Sequence, residues 1–179
     1  MLQEKILLDG TSIDRTVSRL AHQIIECNDN IEDICLIGIL RRGVPFADML
    51  ADKIEQFGNC RPPVGKLDIS LYRDDLDPVA DQPILNATDI PFNIIGKTVI
   101  LADDVIYTGR TTRAAMDAVI SIGRPSKIQL AVLIDRGHRE LPIRGDYVGK
   151  NVPTSQKERI MVKFPQFDGK YEVSIITYN

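Results

Sequence analysis

The 179-residue chain predicts an α/β fold, with a mostly parallel central sheet flanked by helices. Three observations carry that expectation. Residues 34–39, 98–105 and 127–134 are strand candidates with apolar stretches at 34–39, 99–102 and 130–134, as strands covered on both faces require. Stretches with helical spacing lie near residues 11–28, 44–57 and 111–122. Polar loops leave the carboxyl ends of the runs, which is where open α/β sheets bind ligands. Strands that alternate with helices pair in parallel and carry helices on both faces.

Taken in order, Thr11 or Ser12 is expected to cap a first helix that reaches about Asn28, with Ile13, Val17, Leu20 and Ile24 on its apolar face. Arg15, Ser18, Arg19 and His22 share a different face of that helix. The strand Ile-Cys-Leu-Ile-Gly-Ile over 34–39 follows, then a tight turn, Leu40-Arg-Arg-Gly43. Pro45 suits the first turn of a helix over 44–57. Residues 64–71 read as another strand. Residues 73–91 are rich in Asp and Pro with weak periodicity, so they read as a lid or arm beginning near residue 72.

The strand over 98–105 is central. Its helix, from Thr111 to Ile122, turns Ala114, Ala115, Ala118, Val119 and Ile122 inward. After the strand over 127–134, residues 147–149, 160–164 and 172–177 are short β candidates. With no internal repeat and no linker, residues 1–179 are expected to form a single domain.

The hydrophobic content of 44% and charged content of 26% are ordinary for a soluble globular protein. No apolar run approaches the roughly 18 residues that span a membrane. The start, Met1-Leu-Gln-Glu-Lys-Ile, lacks a signal-peptide layout, so a cytoplasmic location is expected. Cys27, Cys35 and Cys60 are isolated thiols, which argues against disulfides or a zinc site. A net charge of −3 does not announce a nucleic-acid partner. Any RNA surface must be local, and charge is uneven: residues 74–89 carry net −5, whereas residues 135–159 carry net +2.

The most informative stretch joins the central strand to its helix. Asp103 and Asp104 accept hydrogen bonds when ionised, which suits vicinal sugar hydroxyls. Beyond them, Thr108-Gly109-Arg110-Thr111-Thr112 combines hydroxyls with the free N–H groups of a helix start, which suits a phosphate monoester. A diol site beside a phosphate site describes a 5-phosphorylated ribose. The plainer alternative is a βα turn that happens to carry acids and threonines.

Val99-Ile-Leu-Ala-Asp-Asp-Val-Ile-Tyr-Thr-Gly-Arg-Thr-Thr-Arg113 resembles the phosphoribosyl-pyrophosphate (PRPP) motif of type I phosphoribosyltransferases. The resemblance extends along nearly the whole chain to the PyrR family. It rests on Leu67-Asp-Ile-Ser-Leu-Tyr-Arg-Asp-Asp-Leu76, Gly123-Arg-Pro125, Ile134-Asp-Arg-Gly-His-Arg-Glu-Leu-Pro142 and Asp146-Tyr-Val-Gly-Lys-Asn-Val-Pro-Thr154.

PyrR proteins regulate pyrimidine operons and have uracil phosphoribosyltransferase activity. The resemblance therefore implies transfer of a phosphoribosyl group from PRPP to uracil, giving UMP and pyrophosphate. Val105, Ile106, Tyr107, Thr108, Gly109, Arg110, Thr111 and Thr112 would bind the phosphoribosyl part, with Asp103 and Asp104 at the ribose. Leu40, Arg41, Arg42 and Gly43 would hold the pyrophosphate, Arg41 and Arg42 being suited to phosphate oxygens. Arg73 would reach over from the arm, unless it only pairs with Asp74 or Asp75. Mg²⁺ is expected to arrive with PRPP, with no direct ligation by a protein side chain. Asp135 and Arg136 would face the base beneath a small hood of C-terminal strands; a strand-end ion pair is the plainer role.

The resemblance also implies binding to leader mRNA, favoured by UMP or UTP, through Ser18, Arg19, His22, His138, Arg139, Arg144 and Lys150. It suggests a homodimer or larger assembly. The alternative is a phosphoribosyltransferase for uracil or another base without RNA regulation. A nucleotide sensor with little turnover is a further option, against which Arg41, Arg73 and the intact acid pair argue.

Overall fold

The computed structural model describes residues 2–70, 72 and 88–178. Five strands form one parallel sheet: β2 (Ile34–Ile39), β3 (Val64–Leu67), β4 (Thr98–Ile106), β5 (Lys127–Asp135) and β6 (Tyr147–Asn151), in the spatial order β3-β2-β4-β5-β6. The helices are α1 (Gly10–Cys27), α2 (Gly43–Gly58), α3 (Arg110–Ile122) and a short α4 (Pro165–Asp168).

Strand parity decides which helix covers which face. Leu36, Ile100 and Ala102 point toward Leu20, Ile24, Phe46 and Leu50 of α1 and α2. Their neighbours Cys35, Ile37, Val99 and Leu101 point toward Ala114, Ala115, Ala118 and Val119 of α3. Both faces are thus buried, which is why β2 and the first half of β4 read as unbroken apolar runs.

The remaining strands make an antiparallel hood in the order β1-β8-β7, from β1 (Leu2–Asp9), β7 (Glu158–Lys163) and β8 (Glu172–Tyr178). The N-terminal strand is therefore part of a hood expected from C-terminal strands alone. The third C-terminal candidate, β6, joins the main sheet instead, parallel to β5.

Several boundaries differ from expectation, each for a local reason. Helix α1 is capped by Asp9, whose carboxylate accepts from the Ser12 N–H at 2.8 Å, not by Thr11 or Ser12. Strand β3 stops at Leu67 because Asp68 folds back onto the Ser70 N–H and hydroxyl, at 2.9 and 2.6 Å. Ile122 is 49% exposed, and the core position beyond Val119 is filled by Ile94, which is 2% exposed and packs beside Gly123. Of the expected arm, residues 73–87 lie outside the described residues; Asp89 pairs with Lys66 as an antiparallel bridge.

Candidate active site

The site sits where β2, β4 and β5 end together. Toward the end of β4 the apolar run gives way to the acid pair. Asp103 is buried and Asp104 is half-buried. The Asp104 N–H donates to the Asp103 carboxylate at 3.0 Å, and the Val105 N–H donates to the Asp104 carboxylate at 2.9 Å. Burial pushes the Asp104 carboxyl above the usual carboxylate range, opposed by hydrogen bonds from Asp103 and the backbone and by the Arg42 charge.

The chain then turns through Tyr107, Thr108 and Gly109 into α3. Gly109 has φ +92°, a left-handed conformation that side-chain-bearing residues resist. It occupies the N-cap position without a capping side chain; the Arg110 N–H donates to the Thr108 hydroxyl at 3.3 Å, and the following first-turn N–H groups are offered to a ligand. A cavity of about 290 Å³ lies against them, lined by Asp103, by Val105 through Thr112, and by Glu140. Asp103 and the start of α3 thus face one cavity, a carboxylate end for hydroxyls and an N–H end for an anion, whereas Asp104 is not among its lining residues.

The turn after β2 closes over the same edge. Gly43 packs so tightly on β4 that a Cβ there would stand 2.3 Å from the Ala102 carbonyl oxygen. The Leu40 N–H donates to Leu67 at 3.0 Å, and the Leu40–Arg41 peptide is cis. Arg41 is exposed. Arg42 instead reaches the hood: it donates to the Val162 carbonyl at 2.7 Å and pairs with Asp168 at 3.0 Å. Arg73 lies outside the described residues.

On the base side, Asp135 pairs with Arg139 at 2.5 Å and accepts from the Gly137 N–H at 2.9 Å. Arg136 is not its partner. The buried Arg136 donates to Thr154 at 3.0 Å and to the Glu158 carbonyl at 2.7 Å, and its guanidinium lies 4.0 Å from the centre of the Tyr107 ring. The His138 ring approaches the edge of Tyr107, at 5.7 Å, and bonds the Thr154 carbonyl.

The two basic clusters meet at β6. Arg19 donates to the carbonyls of Val148, at 3.3 Å, and Gly149, while His22 stacks on Phe57 of α2 at 4.0 Å. Ser18 is half-buried and Lys150 is exposed. Val148 in turn lines a second cavity of about 460 Å³ that Arg139 and Arg144 also line. Arg144 is exposed, whereas Arg139 is committed internally, to Asp135, to the carbonyls of Tyr107 and Ile143 at 2.8 Å each, and to that of Gly137.

Residues 3–165 match the Phosphoribosyl transferase domain family. A protein of Pelotomaculum thermopropionicum named Bifunctional protein PyrR is 55% identical over 177 residues, covering 98% of both chains. One of Clostridium novyi with the same name is 58% identical over 172 residues, covering 96% of this chain and 97% of that one. This chain belongs to the PyrR family. Among solved structures, a hypoxanthine-guanine phosphoribosyltransferase from Bacillus anthracis superposes with a TM-score of 0.73 at 22% identity, covering 99% of this chain and all of that one. At that identity the likeness establishes the type I phosphoribosyltransferase fold alone.

Three groups that touch this PyrR-family site escaped the sequence reading. Glu140 lines the cavity and holds the Arg110 guanidinium at 2.7 Å, while Thr154 and the Glu158 carbonyl anchor Arg136. Glu140 stands inside the quoted stretch 134–142, but nothing in the spacing connects it to a residue 30 positions earlier.

Proposed function

We propose that this PyrR-family chain transfers the phosphoribosyl group of PRPP to uracil, and that the same chain binds pyrimidine-operon leader mRNA under the control of UMP or UTP. The observation that carries the first part is the shared cavity, with Asp103 of the acid pair at one end and the start of α3 at the other. Thr108 through Thr112 hold the 5′-phosphate, and Asp103 and Asp104 accept from the ribose hydroxyls. The turn at Leu40–Gly43 receives the pyrophosphate through its backbone and Arg41, with Arg42 held toward the hood. Displacement at the anomeric carbon develops oxocarbenium character, so catalysis rests on positioning and on stabilising the leaving group. Arg73 serves that second role, reaching the pyrophosphate from the arm.

Uracil lies beside Asp135 and Arg136 under the hood, where Arg136 is fixed between Tyr107 and β7. The residues present fit Mg²⁺ carried on pyrophosphate, whose oxygens supply its ligands while Asp103 and Asp104 are left to the ribose hydroxyls. When bound, the ion neutralises the pyrophosphate leaving group.

For the regulatory part, the exposed Arg19, His22, Arg144 and Lys150 supply the cations and polar groups, together with Ser18 and His138, and Arg19 reaches the backbone of β6. A homodimer would bring two such sets together. The protein works in the cytoplasm, and no described helix is long and apolar enough to cross a membrane. A second reading, transfer without RNA regulation, is favoured by Arg139, whose donors are spent inside the protein.

Incubation with PRPP and Mg²⁺ against uracil, orotate, hypoxanthine and guanine tests the enzyme. UMP and pyrophosphate are expected from uracil alone; a purine nucleotide product, with none from uracil, overturns the base assignment. Titration with the leader RNA, with and without UMP and at two salt concentrations, tests the regulator. Binding no tighter than to a scrambled stem-loop removes it.

A further inference from the structure

A cavity built for an anion is not expected to contain a spare carboxylate, yet Glu140 lines the one at the start of α3. Its position is fixed from behind. The Glu140 and Leu141 N–H groups both donate to the Thr108 carbonyl, at 3.0 and 3.2 Å, so the segment carrying Glu140 travels with the loop. Its carboxylate bonds Arg110 Nε at 2.7 Å. Arg110 is the first residue of α3, and its own N–H lies 3.3 Å from the Thr108 hydroxyl. The guanidinium fork fits a carboxylate and a phosphate equally well.

We propose that Glu140 sets the affinity and charge selectivity of this loop: its carboxylate engages Arg110 in place of the ligand phosphate and must yield it when a phosphate-bearing ligand enters. This rests on the phosphate role given above to residues 108–112. A phosphate dianion gains N–H groups of α3 as well as Arg110, so it displaces a carboxylate that, among the described residues, bonds only the guanidinium. An uncharged nucleoside offers nothing in exchange, and Arg110 stays with Glu140. The loop therefore discriminates by charge before the base is read. The pair is partly exposed, with side chains at 34% and 52%, so the competition is modest and reversible.

Isothermal titration of the full chain with UMP, inorganic phosphate and uridine tests this in wild type and Glu140→Gln, at low salt and at about 1 M salt. Removing the competing charge is expected to tighten UMP and phosphate by about two- to fivefold at low salt, in keeping with an exposed ion pair. The gain should shrink at about 1 M salt, where charges are screened within about 3 Å. Uridine binding should not change. Placed on Arg110→Gln, the same substitution should yield little further gain, because the group competed for is gone.

If Glu140→Gln does not fold, Glu140→Asp draws the carboxylate back by one methylene and should tighten UMP in the same direction by less. Unchanged or weaker UMP binding by the folded variant would mean that Glu140 only orients Arg110, and the proposal fails. Failure of wild type to bind UMP or phosphate at all would be a different result: it would remove the phosphate role of the loop, and this inference with it.

Discussion

The ribose contact proposed for Asp104 carries a cost to the empty fold, and Asp104→Asn separates the two effects. Burial raises its carboxyl above the ordinary value of 3.8, so the native state keeps that proton longer than the unfolded chain does. With more protons bound in the native state, stability falls as pH rises from 3.8 through the raised value, and the loss persists at pH 7. The amide has no charge to desolvate. The variant is expected to melt above wild type at pH 7, with the gap closing toward pH 3.

Turnover should move the other way. A hydrogen bond to a charged acceptor is worth roughly 1.5–3 kcal/mol, about twice a neutral one. Since the amide oxygen still accepts, about half is lost, roughly 0.7–1.5 kcal/mol, or about three- to twelvefold in kcat/KM for PRPP. Replacing Asp103 as well should multiply the loss to about 10- to 150-fold on the same basis. Thermal melts across pH 3–7 and initial rates with varied PRPP read both quantities. A variant that melts lower at pH 7 and turns over normally would refute the reasoning for Asp104.

Gly43→Ala places a Cβ 2.3 Å from a backbone oxygen that cannot swing aside, so melts should show about 1–3 kcal/mol of destabilisation and assays a weaker hold on PRPP. Lys150→Gln, at an exposed strand residue, should weaken leader-RNA binding and its salt dependence while uracil turnover stays intact. Arg139→Gln cannot separate the activities so cleanly, because it strips bonds from Asp135 and from the Tyr107 carbonyl; filter binding and turnover should fall together. In the hood, bonds from Lys163 hold Glu4 and Glu172 below the usual carboxylate range, so their contribution is present above about 4.5 and is lost as pH falls through the lowered values. Hydrogen exchange of the β1 and β8 amides, compared with those of β4, should accelerate selectively over that acid window.

The parallel sheet was readable because burial on both faces leaves an unbroken apolar signature over residues 34–39, 99–102 and 130–134. β1 carries no such mark. Lys5 interrupts its pattern, and its partner β8 lies at the opposite end of the sequence, so no local periodicity announces the pair. The cap of α1 was misplaced for the same reason: Thr11 and Ser12 look like caps until Asp9 is known to end a strand. Leu71 continued an apolar alternation, but the Asp68 side chain had already offered the backbone a turn.

The site divides along the same line. The loop from Asp103 to Thr112 is contiguous, so its chemistry can be read from residue types in order, and the cavity assembles from those residues, Asp104 apart, together with Glu140. What joins that loop to the rest of the molecule is carried by side chains that reach across long separations: Arg136 to Tyr107, Arg139 to the Tyr107 carbonyl, Arg110 to Glu140. Residue type alone marks Arg139 as a solvent-facing cation ready for a polyanion. Its bonds make it a brace between the end of β5 and the loop after β4. Arg42 likewise has the type that binds pyrophosphate, but in this structure its guanidinium is engaged by Asp168 and the Val162 carbonyl. For both arginines sequence supplies the charge, whereas tertiary contacts decide whether that charge is available to a ligand. The exposed cations of the basic clusters, Arg144 and Lys150, are therefore sharper tests of RNA binding than Arg139.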